Sequence, residues 1–151
     1  MLIAYTSTII DAPIARVWPH LRNFGALASY QSSVAKLTLE GAPTGDQIGS
    51  VRNLVLHEGK FEGKRLRERL LALSDVDYSA TYSVDMDEPA FNNAICTYRL
   101  RSITDRDATF IEWSTYGDMI DLSAAPAVAN FIVNEIYADC FRGLRALVEN
   151  K

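Results

Sequence analysis

Six extended runs in succession, near 34–40, 49–56, 63–73, 78–85, 94–103 and 108–117, are separated by stretches too short to hold a crossover, and nothing else in the chain constrains its fold as strongly. The separators are Gly41-Ala42-Pro43-Thr44-Gly45, His57-Glu58-Gly59-Lys60, Ser74-Asp75-Val76-Asp77, Asp87-Glu88-Pro89 and Asp105-Arg106. Parallel neighbours would need roughly a dozen residues or more between them. Each separator therefore predicts an antiparallel hairpin, and the whole stretch an antiparallel meander.

The flanks complete the architecture. Leu2 to Ile10 is rich in β-branched residues and reads as a further strand. Asp11-Ala12-Pro13 reads as a helix start, with Asp11 as N-cap and Pro13 just inside, where its missing N–H is harmless. A short helix through Val17 and Trp18 follows; Pro19 is expected to kink or end it, and a second brief helical piece runs from Phe24 towards Tyr30. From about Ser123 to Asn150 apolar residues recur at helical spacing, at Val128, Ile132, Ile136, Cys140, Leu144 and Leu147. Phe131, Ala138, Phe141 and Val148 widen that stripe, so one long helix is expected to be embraced by the sheet. The prediction is an α+β fold, a curved antiparallel sheet of about seven strands around a terminal helix. A chain of 151 residues, 48% hydrophobic, suits one domain spanning 1–151.

Composition narrows the function. A net charge of -4 and a pI near 5.1 argue against nucleic acid or an anionic membrane surface as principal partner. The N-terminus lacks the basic start and apolar run of a signal peptide, and no segment is apolar enough to span a bilayer. The two cysteines, Cys96 and Cys140, lie far apart and outside any CxxC, which predicts a reducing cytoplasm with neither a disulfide framework nor a zinc site. His20 and His57 share no metal-ligand spacing, so no metal is expected; His57, in a hairpin loop, could gate or protonate a ligand or simply be exposed. No GxSxG, P-loop, GxGxxG or HExxH occurs, and no cofactor is expected. Glu135 and Asp139 flank the helical stripe and are expected on a solvated side.

One residue breaks the pattern. In Lys64-Arg65-Leu66-Arg67-Glu68-Arg69-Leu70-Leu71-Ala72, a period of two puts Arg65, Arg67 and Arg69 on the outer face and Leu66, Glu68, Leu70 and Ala72 on the inner one. An ionised carboxylate among leucines is costly unless a cation or hydrogen-bond donors meet it. Turn positions set the hairpin register. The turn around Lys60 places Arg52 opposite Glu68, with Leu54 and Leu56 inward as well; the turn near Asp75 places Tyr82 opposite Glu68, or diagonal to it after a slip of two. Continuing outward, Tyr98 falls opposite Tyr82 and Trp113 opposite Tyr98. The expectation is a transverse row, Arg52, Glu68, Tyr82, Tyr98 and Trp113, beneath the helix residues Ile136 and Cys140. Such a row furnishes a ligand cavity or fills a closed core.

Several of these segments together resemble the START-like, or SRPBCC, helix-grip superfamily, and within it the polyketide cyclase/dehydrase and lipid-transport branch. They are Asp11-Ala12-Pro13 with Val17-Trp18 and Asn23-Phe24, then Gly49-Ser50-Val51-Arg52, Glu68-Arg69-Leu70, Tyr82-Ser83-Val84, Trp113, and Gly143-Leu144 with Leu147. The resemblance implies two short helices closing one end of the sheet and a long helix over an apolar cavity, with the loops His57 to Glu62 and Met86 to Asn92 at its mouth. More distantly, Gly49-Ser50-Val51-Arg52 and Glu68-Arg69-Leu70 resemble plant abscisic acid receptors, but Ala94 stands where those receptors carry an aromatic residue, and their gate sequence is missing from the first loop. Three functions are expected from this. The first is binding or transport of a small hydrophobic molecule, a lipid, polyketide or aromatic metabolite, by Arg52, Leu54, Glu68, Tyr82, Tyr98, Trp113, Ile136 and Cys140. The second is a cyclase or dehydratase in the same pocket, with Glu68 or Tyr82 as the candidate catalytic residue. The third is an interaction subunit without ligand. A homodimer is compatible with all three.

Overall fold

The computed structural model describes residues 1–41, 45–57, 64–87 and 89–149. The turn residues 42–44, the loop residues 58–63 and Glu88, placed by the sequence in turns or at a cavity mouth, lie outside the described residues.

The strands are β1 (Leu2–Ile10), β2 (Val34–Glu40), β3 (Val51–Leu56), β4 (Arg65–Ser74), β5 (Ser79–Met86), β6 (Phe91–Ser102) and β7 (Thr109–Met119). They form one antiparallel sheet in the order β1-β7-β6-β5-β4-β3-β2, so the meander from β2 to β7 is continuous and β1 closes onto β7. The helices are α1 (Ile14–Arg22), a 3-10 turn at Phe24–Ser29, α2 (Ala125–Phe131) and α3 (Ala138–Val148). With a leading turn and a π-helical segment, Ile132–Tyr137, the last two make a helical stretch of 27 residues. Its inner side stacks on the sheet: the Tyr137 and Phe141 rings lie 5.1 and 6.4 Å from Trp113. This is the helix-grip arrangement.

Local departures have physical causes. Pro13, extended at φ -66 and ψ 151, takes the N-cap position of α1 itself, so Asp11 does not cap the helix; its backbone N–H donates to Glu149 Oε2 at 2.7 Å instead. Pro19 does not end the helix, which continues to Arg22. A proline inside a helix costs about 3 kcal/mol, but Val17, Trp18 and Leu21 are all buried, each stabilising by about 1.5–3 kcal/mol, so packing outweighs the proline. At its far end, Trp18 Nε1 and Arg22 Nε each donate to Asp75 Oδ1 at 2.8 Å, tying α1 to the β4–β5 turn. The 3-10 turn is capped by Asn23, whose Oδ1 accepts from the Gly25 N–H at 3.2 Å.

Register decides which side chains meet. Arg52 pairs with Glu68 and Tyr98 with Trp113, as the turns predict. Between β4 and β5 Glu68 pairs with Val84 and Tyr82 with Leu70, so Tyr82 lies diagonal to Glu68, the alternative given by a slip of two; nearer the turn a bulge between Leu70 and Ala72 inserts one residue into β4. The bulge also reverses the faces beyond it. Ala72, expected inward, is exposed, and the half-buried Leu73 pairs with Ala80. On the next hairpin Tyr82 pairs with Cys96 and Tyr98 with Ala80. The straight row is therefore staggered, although ring size bridges the stagger: Tyr82 and Tyr98 centroids stand 6.1 Å apart, Tyr98 and Trp113 4.8 Å.

The long helix docks on the 3-10 turn through Gly143. A Cβ there would fall 1.8 Å from the carbonyl oxygen of Tyr30, so only glycine allows the approach. Asp139 is buried rather than solvated, accepting from Ser32 Oγ at 2.6 Å and the Ser33 N–H at 3.0 Å; Glu135 is exposed as expected.

Candidate functional site

Between the concave face of the sheet and the helical stretch 122–148 lies a cavity of about 300 Å³. Its walls are mainly apolar: Leu54, Leu56, Leu66, Val84, Met86, Phe91 and Ala94 from the sheet, and Val128, Phe131, Ile132 and Ile136 from the helical stretch. Helix α2 has no buried residue of its own, yet Ala127, Val128 and Phe131 face this space. The π-helical turn widens the helix at 132–137 and brings Ile132, Ile136 and Tyr137 to the wall together. Met86, Asp87, Ala90 and Phe91 come from the region expected at the mouth. His57 is exposed and is not among the lining residues.

The buried charges of the wall form one ion pair, while the half-buried Lys64 and the exposed Asp87 also line the cavity. Arg52 donates to Glu68 Oε1 through Nε at 2.7 Å and approaches it with Nη2 at 2.6 Å. Nη1 donates to the Phe24 carbonyl at 2.8 Å, the Phe24 ring covers the guanidinium at 3.7 Å, and Tyr82 lies on it at 5.0 Å. Arg52 is 1% exposed and Glu68 6%, so both charges are inside the molecule. Burial weighs most on the guanidinium and works against its charge, yet Glu68 and, with smaller contributions, Tyr82, Tyr30 and Tyr98 together outweigh it and the Arg52 pKa rises.

A second network lies deeper. Trp113 Nε1 donates to Tyr82 Oη at 3.0 Å, while Thr115 Oγ1 is hydrogen-bonded to the Tyr137 hydroxyl and lies 3.4 Å from Cys96 Sγ. Cys140 Sγ donates to Gln31 Oε1 at 3.4 Å. Burial pushes the phenols of Tyr82 and Tyr137 well above their ordinary value. It also pushes the Cys96 thiol up to about 11, and raises that of Cys140 with the charge of Asp139 adding to the effect. These groups are held neutral at physiological pH, which suits packing and hydrogen bonding better than nucleophilic attack.

The structure brings Arg52, Leu54, Glu68, Tyr82, Trp113, Ile136 and Cys140 to one cavity wall. Tyr98 is not among them. It is 1% exposed, stands behind the wall and donates its hydroxyl to the Leu21 carbonyl at 2.6 Å, securing α1 to the sheet. Thr115, Tyr137 and Gln31 also line the cavity, and sequence reasoning did not single them out. Thr115 shares the parity of Trp113, and Tyr137 stands four residues before Phe141 on the helical stripe, so both carried a usable signal. Gln31 follows an irregular turn and carried none. Among the described residues no group of histidine, cysteine and acidic side chains could hold a metal, and no helix is long and apolar enough to cross a membrane.

Solved structures share this architecture. A protein of Nitrosospira multiformis is 26% identical, with a TM-score of 0.79 over 97% of this chain and 96% of its own. XoxI of Bacillus cereus is 22% identical, with a TM-score of 0.78 over 97% and 96%. Norcoclaurine synthase from Thalictrum flavum, at 14% identity, has a TM-score of 0.71 over 97% and 92% and shares the fold alone. No curated protein matches the chain. The family model described as polyketide cyclase / dehydrase and lipid transport matches residues 1–149. A helix-grip sheet, a cavity beneath its long helix and a match over nearly every residue together assign the chain to the polyketide cyclase/dehydrase and lipid transport family.

Proposed function

We propose that the chain, acting as one ligand-binding domain over 1–151, binds or carries a small hydrophobic molecule in the cavity under the long helix. The observation that carries this reading is a space of about 300 Å³ walled mainly by aliphatic and aromatic side chains, with the buried ion pair of Arg52 and Glu68 on its wall. That volume is at the small end of the range for drug-sized ligands, so a compact lipid fragment, polyketide or aromatic metabolite fits better than a long acyl chain. Native mass spectrometry of protein purified from cells tests it by revealing a co-purified small molecule. Naphthalene, apolar and compact, tests the cavity itself: its binding raises the melting temperature. A melting temperature unmoved by naphthalene and by every other apolar ligand tried would refute the reading.

A second reading, cyclase or dehydratase chemistry at the same wall, is supported by the placement of the Glu68 carboxylate on a substrate-sized cavity. Glu68→Gln divides the two: it keeps the cavity and its binding of naphthalene in both cases and abolishes turnover only where the carboxylate moves a proton.

A further inference from the structure

Arg52 and Glu68 form a salt bridge, but they do not face the cavity equally. The guanidinium spends Nε and Nη2 on Glu68 Oε1 and Nη1 on the Phe24 carbonyl, and its faces are covered by Phe24 and Tyr82. Its side chain is part of the wall but only 1% exposed, and each of its nitrogens is already engaged. Glu68 differs. Arg52 is its hydrogen-bond partner among the described residues and both contacts fall on Oε1, while the side chain keeps 8% exposure. No fully buried side-chain nitrogen or oxygen among the described residues lacks a partner, so Oε2 is not sealed and opens to the cavity that Glu68 lines.

We infer that the polar end of a ligand seated against Glu68 is a neutral hydrogen-bond donor, a hydroxyl or N–H, received by Glu68 Oε2, and that this part of the cavity, which Lys64 and Asp87 also line, discriminates against carboxylates. The inference rests on the proposed binding function and names the class of ligand. A donor meeting an ionised acceptor inside an apolar wall forms a charge-assisted bond. A carboxylate in the same place would bring a second negative charge beside Glu68, find Arg52 already engaged, and leave water to do so. Tyr82 adds no charge beside Glu68. Its hydroxyl already accepts from Trp113 and its phenol is held protonated by burial, so it meets the ligand as a neutral group. The two charges of the pair thus act as one oriented acceptor, with the cation behind and the carboxylate in front.

The test uses three ligands of one ring system, naphthalene, 2-naphthol and 2-naphthoate, measured by isothermal titration calorimetry near neutral pH. The naphthol is expected to bind about tenfold or more tighter than the naphthoate, as one good hydrogen bond to a charged group requires. In Glu68→Gln the gap narrows, because the negative charge is gone while an oxygen remains for Arg52. Should that variant fold poorly, Arg52→Met with Glu68→Leu replaces both charges by apolar groups and must narrow the gap as well. Naphthoate binding as tightly as naphthol, or a gap unchanged in a folded variant, overturns the inference while leaving the cavity intact. Failure of all three ligands to bind counts instead against the proposed function.

Discussion

Removing Glu68 while keeping Arg52 tests how the charges are housed. In Glu68→Ala the guanidinium, 1% exposed, loses the acceptor of both its Nε and Nη2 contacts, at 2.7 and 2.6 Å, and keeps the Phe24 carbonyl at 2.8 Å. Breaking a buried pair by removing one partner costs about 3–5 kcal/mol, against about 0–1 kcal/mol for an exposed pair. Two features pull the value towards the lower end of that range: the aromatic faces over the guanidinium remain, and the vacated volume adjoins a cavity that can admit water. An expected loss of about 3 kcal/mol corresponds to a fall of roughly 6–12 °C in melting temperature for a chain of this size. Urea denaturation at pH 7, with the slope checked for constancy, reads the same quantity. The double variant Arg52→Met with Glu68→Leu strands no charge and is expected to be no less stable than Glu68→Ala, and close to the parent. A Glu68→Ala loss below about 1 kcal/mol, or a double variant less stable than the single one, would refute the view of a sealed cation dependent on one carboxylate.

Two further outcomes follow from other contacts. Gly143→Ala drives a Cβ to 1.8 Å from the Tyr30 carbonyl, backbone that cannot swing aside, so the helix must lift from the 3-10 turn; a loss of about 1–3 kcal/mol or more is expected in urea denaturation, and an unchanged midpoint would contradict the close docking. Hydrogen bonds from Arg22 and then Trp18 hold the Asp75 carboxyl down to about 2; a depressed acid contributes stability that is complete above its unfolded pKa and is lost as pH falls through the folded one, so the parent should weaken between about pH 4 and 2. Asp75→Asn should be less stable than the parent at pH 6 and converge with it by pH 2, a convergence that thermal melts across this range would reveal or exclude.

Some of this was open to reading along the chain, and the reason is that short turns and alternation are local. The strand at 34–40 and the first strand match the observed bounds, and the Arg52–Glu68 pairing came from one turn position and parity alone. Tyr82 takes the diagonal place beside Glu68 because the turn pairs Ser74 with Ser79 and so centres beyond Asp75; the bulge at Leu71, in a run of leucine and alanine that reads equally well in either face assignment, has no signature in composition. The next hairpin has its own register, two residues from the expected one, so Cys96 rather than Tyr98 stands opposite Tyr82. Trp113 opposite Tyr98 depended on a separate tight turn, and held.

By itself, then, the sequence determined the fold class, the antiparallel order and the presence of an inward carboxylate, since each depends on periodicity and on loops too short for alternatives. Tertiary structure alone decided that Pro19 is tolerated, that Asp139 is buried, and that Tyr98 stands behind the cavity wall while Tyr137 and Gln31 line it. It also decided that the nitrogens of Arg52 are engaged while Glu68 keeps Oε2 towards the cavity that both residues line. Those outcomes rest on bulges, helix docking and side-chain reach between segments up to 109 residues apart, as with Cys140 and Gln31. Periodicity tells which face a residue is on; only packing tells whether that face meets another side chain or an empty space.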